Sequence, residues 1–165
     1  MVFGFGEKKE QKEKDPGVVE MEKNMEIWEE IRNGKIENER VSSLTLITDE
    51  IAEVLSKTTG GLYLNSLVFL SDISAEHLSH HTSTLYLNHL SSISDAVAEH
   101  LSHHRGGDID LRGLEYLSDN AAKYFAEVPE EDGSGSVLVK GNNVDNGMIV
   151  QNKLNKFRAS LNKSL

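Results

Sequence analysis

The sequence contains no cysteine. Disulfides, thiolate metal sites and thiol nucleophiles are therefore excluded, and a reducing compartment suits the composition. Prolines number two, and aromatic residues make up 6% of the chain. No apolar run reaches the length needed to cross a bilayer. The opening "MVFGFGEKKEQKEKD" has neither the apolar stretch of a signal peptide nor the positive region that precedes one. These absences lead to a cytoplasmic expectation. Two catalytic signatures are also missing. No G-x-S-x-G turn presents a serine nucleophile, and "GNNVDNG" lacks the lysine and hydroxyl residue of a phosphate loop. The expectation is a non-enzyme without cofactor.

The formal charge is −10, and it is unevenly placed. Residues 41–132 carry 15 acids and 4 bases, whereas residues 133–165 carry 1 acid and 5 bases. An acidic middle disfavours a nucleic-acid backbone, because phosphates need basic partners. It favours a protein partner with a basic surface, for which charge raises the encounter rate more than the final affinity.

What the sequence does have is a repeat. Residues 61–83, "GLYLNSLVFLSDISAEHLSHHTS", and residues 84–106, "TLYLNHLSSISDAVAEHLSHHRG", agree at 14 of 23 positions. The register extends upstream to 38–60 and, past one inserted residue (Gly107), downstream to 108–130. Each unit opens on alternating apolar residues, as in Leu62 and Leu64, which point to one side of a short strand. A hydroxyl residue and an aspartate follow: Thr48-Asp49, Ser71-Asp72, Ser94-Asp95, Ser118-Asp119. Such pairs cap and charge-complement a helix N-terminus. Apolar residues at helical spacing come next, for example Ala75 and Leu78. One such unit cannot bury its apolar side alone, but stacked units can.

Leu62, Leu64, Leu67 and Leu70, then Leu85, Leu87, Leu90 and Ile93, then Ile109, Leu111, Leu114 and Leu117 carry a resemblance to the leucine-rich repeat family. The "SD..A..L" helical segment is similar to its bacterial variants. The resemblance implies an α/β fold: a short solenoid with parallel strands on a concave face and short helices on the convex face. It also implies protein binding through the strand face.

On that face the side chains between the core leucines form two rows. One runs Arg40, Tyr63, Tyr86, Asp110; the other runs Ser42, Asn65, Asn88, Arg112, with Ser66 and His89 beside them. Tyrosine and arginine bury large areas while keeping a polar tip, as interface anchors do. Arg40, Tyr63, Asn65, Tyr86, Asn88, His89, Asp110 and Arg112 are therefore the candidate partner-binding residues. Like residues on adjacent rungs also stabilise a sheet without any partner.

All seven histidines fall between positions 77 and 104. His77 and His81 are four apart, as are His100 and His104, a spacing at which two imidazoles can share a metal. A second explanation needs no ligand: histidine near a helix C-terminus bonds the unpaired carbonyls there, and duplication copies it. The second explanation is preferred, with these four histidines kept as metal candidates.

The expected organisation is a disordered or solvated tail over 1–17, an N-terminal capping helix over 18–37, four repeats over 38–130, a linker over 131–136, and a C-terminal strand and helix cap over 137–165. The N-terminal helix is expected to pack through Val18, Met21, Met25, Trp28 and Ile31, and the C-terminal one through Val150, Leu154, Phe157 and Leu161. The expected function is a non-catalytic interaction module, an adaptor or a subunit of a larger assembly. Two alternatives are an immunity-type inhibitor that masks a basic partner and a histidine-cluster metal binder.

Overall fold

The computed structural model describes residues 15–128, 136–139, 147–161 and 163. The expected tail (apart from Asp15–Gly17) and residues 129–135, including the expected linker up to Ser136, lie outside them. Among the described residues the chain forms α1 (Pro16–Arg32), α2 (Asn38–Ser42), α3 (Asp49–Ser56), β1 (Leu62–Tyr63), α4 (Asp72–Ser79), β2 (Leu85–Tyr86), α5 (Asp95–Ser102), β3 (Ile109–Asp110), α6 (Asp119–Ala126), β4 (Val137–Leu138) and α7 (Gly147–Leu161). It is an α/β structure. The four strands form one parallel sheet in the order β1-β2-β3-β4, and α3 to α7 pack each against the next.

Each strand is only two residues long, so the ladder itself contributes little. The apolar register holds the units together. Leu62, Leu85, Ile109 and Val137 are aligned across the sheet. Leu64, Leu87 and Leu111 follow one position later, each completely buried. The helices close the other side with Ile51, Ala75, Leu78, Ala98, Leu101, Ala122 and Phe125, all buried in the same core. A fully buried leucine contributes about 1.5–3 kcal/mol relative to an exposed one, which makes this core the dominant stabilising term.

The "SD" and "TD" dipeptides perform two tasks. In each unit the hydroxyl accepts a hydrogen bond from the backbone N–H three residues on: Thr48 from Ile51, Ser71 from Ser74, Ser94 from Val97, Ser118 from Ala121. The serine hydroxyl also donates across to the previous unit's aspartate: Ser71 to Asp49, Ser94 to Asp72, and Ser118 to Asp95. The chain of bonds ends at Asp119, which receives Lys153 of α7 at 2.8 Å. The Ser71 and Ser74 hydroxyls hold the Asp49 carboxyl below its usual range; Ser118 and Asn120 do the same for Asp95. Ser118→Ala removes both a cap and a link between units. It should lower the unfolding free energy by about 1 kcal/mol, read from the urea midpoint at unchanged slope.

Two expectations about the ends are corrected. Where the 23-residue register predicts a first strand, the chain forms helix α2. Glu39-Arg40-Val41 offers only one apolar residue, Val41, and it alone is buried. Helix α1 begins and ends earlier than expected, and it packs through a different face. Ile27 and Ile31 are buried and Trp28 half-buried, but Val18, Met21 and Met25 are exposed. Their place is taken by Asn24, which is wholly buried. The physical reason lies in the backbone of the first unit. In the next unit, Val68 N–H donates to the Thr45 carbonyl. Thr45 has no unit before it, so its own N–H donates to Asn24 Oδ1, and Asn24 Nδ2 donates to Thr45 Oγ1. An amide side chain thus stands in for a missing rung, and burying it outweighs burying a methionine, because an unmet buried N–H costs about 1–3 kcal/mol. At the other end α7 packs on α6 through Val150 and Leu154, with Phe157 half-buried. Leu161, expected in that contact, is exposed.

Candidate functional site: the strand face

Tyr63 and Tyr86 occupy equivalent places on β1 and β2. Alternation places them outside the leucine core, and their rings stack with centroids 4.4 Å apart and planes 3° from parallel. Tyr63 is 38% exposed and Tyr86 half-buried. The neighbouring Tyr63 phenol, then burial, raises the Tyr86 hydroxyl above its ordinary pKa. Tyr86 is thus a neutral donor and acceptor at physiological pH. Gly61 lies under the pair: a Cβ there would come within 3.1 Å of the Tyr86 ring.

The row continues Asp110 on β3 and Leu138 on β4. Asp110 was expected to face a partner. It is 1% exposed, covered by Arg112, whose Nε and Nη2 donate to its two carboxylate oxygens at 2.8 and 2.5 Å. Burial pushes this carboxyl up, but the hydrogen bonds from Arg112 and Asn88 outweigh it and hold Asp110 below its usual range. Asp110 is therefore a buried anchor, and Arg112, with its side chain 60% exposed, is what the face presents. Leu138, 37% exposed, belongs to the strip and was missed. The alternation in "VLVK" carried the signal, since it puts Leu138 in the tyrosine register.

Arg40 does not belong to the row. It lies on α2, and its guanidinium bonds Glu30 at 2.9 Å and Glu26 at 3.5 Å, both on α1. Its pKa is raised, chiefly by the Glu30 hydrogen bond. Asn65 and Asn88 are half-buried, and their Oδ1 atoms are enclosed without a hydrogen-bond partner. His89 is exposed. Tyr63, His89, Arg112 and Leu138 are therefore exposed, with Tyr86, Asn65 and Asn88 half-buried.

The histidines divide into three kinds. His80 and His103 are the C-cap residues of α4 and α5, with their backbone N–H groups bonded to helix carbonyls. His77 and His100 are partly exposed on those helices. His81 and His104 are buried between units. His81 Nδ1 lies 3.2 Å from the Ser56 carbonyl and its Nε2 2.9 Å from the Gly60 carbonyl. His104 Nδ1 lies 3.2 Å from the Ser79 carbonyl. The rings of His81 and His104 thus meet the backbone of the preceding unit. The carbonyls met are those near the preceding helix's C-terminus, which is the role preferred above, carried out across a unit boundary. The corresponding residues in the outer units are Thr58, which bonds its own helix at the Leu55 carbonyl, and Val128, which is simply buried.

Burial lowers the His104 pKa, with the neighbouring His81 adding to the shift. A base with a lowered folded-state pKa binds fewer protons folded than unfolded. Its stabilising contribution is complete above the unfolded pKa of about 6.5 and is lost as the pH falls through the lowered folded value. Urea midpoints should therefore decline as the pH falls below about 6.5. His104→Val, which copies Val128, should flatten that decline. An equally steep decline in the variant would place its origin elsewhere.

No family model, curated protein or solved structure matches the chain.

Proposed function

We propose that the chain is a short leucine-rich-repeat solenoid and a non-catalytic protein-interaction module, an adaptor or a subunit of a larger assembly, that grips its partner through the strand face. The single observation carrying this reading is the Tyr63–Tyr86 stack. Two large rings, already ordered against each other, stand partly exposed above a completely buried leucine layer. Ordering them in advance removes much of the side-chain entropy that binding would otherwise cost. Arg112, held by Asp110, and Leu138 extend the strip, so that it offers aromatic area, one fixed cation and one apolar contact.

The net charge of −10 favours a partner with a basic surface. The experiment is affinity capture with wild type and Tyr86→Ala in parallel. A partner retained by wild type and lost by the variant supports the strand face, and Tyr86→Ala should weaken the measured complex by about 2 kcal/mol. A partner held equally by both, or association indifferent to ionic strength, would overturn the reading.

A further inference from the structure

A second surface lies where each unit passes from its strand to its helix. The two most similar units, 61–83 and 84–106, allow a controlled comparison. Unit 84–106 carries Ser91, Ser92 and Ala96 there; unit 61–83 carries Val68, Phe69 and Ile73. Both units form the same strand, the same serine cap and the same eight-residue helix. The scaffold therefore does not need the three large apolar side chains. It does not bury them either: Val68 is 51% exposed, Phe69 62% and Ile73 53%. Phe69 forms one wall of a groove of about 300 Å³, with Ser92 and Ile93 of the next unit along it and Asp72 at its rim. One unit further on, the equivalent place holds another exposed aromatic residue, Tyr116.

The charge beside this patch is one-signed. Asp49, Asp72 and Asp95 follow one another at the helix N-termini, and among the described residues no lysine or arginine pairs with them. Their hydrogen bonds come from serine hydroxyls, and in the case of Asp95 from Asn120 as well. Hydroxyl and amide donors leave the negative charge in place. An apolar patch bordered by carboxylates that, among the described residues, no lysine or arginine pairs repels an anionic lipid surface. It suits a segment that brings cations of its own.

We propose that Val68, Phe69 and Ile73 form a docking surface for an amphipathic helix of a partner protein. That helix places an apolar side chain in the groove between Phe69 and Ser92 and sets lysine or arginine beside it, against Asp72. The surface is separate from the tyrosine strip and does not depend on it.

The test uses the full chain and a phage-displayed library of helix-forming peptides, with the enriched peptides synthesised and their binding measured by fluorescence anisotropy. Enriched peptides should carry apolar residues at helical spacing flanked by lysine or arginine. Val68→Ser with Phe69→Ser recreates the residues of the neighbouring unit, so folding is retained, as a thermal scan verifies. It should weaken binding by at least about tenfold, while Tyr86→Ala leaves binding unchanged. Equal binding to the double variant, enrichment of peptides without basic residues, or no enrichment would overturn the proposal. Sedimentation showing that wild type pairs with itself, and that the double variant does not, would assign the surface to a second copy and overturn it too.

Discussion

Replacing Leu87 with alanine should lower the stability of the fold by about 2–5 kcal/mol. Leu87 is completely buried, with Leu64 and Leu111 in the same position on the rungs either side. Its backbone is fixed from below by the Leu87 N–H to Asp110 carbonyl bond, so the rung cannot collapse into the space left behind. Domains of this size have about 5–15 kcal/mol in total, so a large share would go at once. Among the described residues α3 to α7 pack each against the next, so the loss falls in the middle of that series, and the two halves lose mutual support. Urea unfolding followed by circular dichroism should show a lower midpoint and, if the halves separate, a shallower slope. A loss of unfolding free energy below about 1 kcal/mol would mean that the leucine layer is not the principal core.

Gly106→Ala should also destabilise the fold, through the opposite fault. A Cβ at Gly106 would lie 2.2 Å from the His81 carbonyl oxygen and 2.6 Å from the Ser83 nitrogen. These are backbone atoms, and the His81 ring is itself held by the Ser56 and Gly60 carbonyls. Neither loop can yield, and forced overpacking costs about 1–3 kcal/mol or more. The equivalent position one unit earlier is Ser83, which carries a side chain. One difference is the inserted Gly107, which follows Gly106 in this loop. Deleting Gly107 from the Gly106→Ala chain restores the 23-residue spacing and should recover part of the loss. Thermal unfolding of the three chains decides the matter. A Gly106→Ala protein with the wild-type midpoint would show that the two loops do not touch.

Much of this architecture was legible in the sequence because a repeat poses the same problem several times. Strand, cap and helix recur at fixed offsets, and Ser71, Ser94 and Ser118 act as expected. The misreadings occur where the repetition stops. Periodicity on α1 favoured Val18, Met21 and Met25, but the first unit's exposed backbone at Thr45 demanded an amide, and Asn24 supplies it. Arg40 was assigned to a strand row by alignment alone, yet two glutamates on α1 bind it. Asp110 and Arg112 were read as two surface contacts. A period-two pattern gives the side of the sheet each one faces, but says nothing of the bond between them. The serine-to-aspartate bonds between units were also invisible, since each dipeptide explains itself fully as a local cap.

Those bonds give the stack a direction. Every interior aspartate awaits a serine on its following side, and every interior serine requires an aspartate on its preceding side. The two extremities are sealed differently, by Asn24 at the start and Lys153 at the finish. An additional 23-residue module spliced between Ser83 and Thr84 would meet a matching surface on both flanks, whereas the same module appended beyond either extremity would meet none.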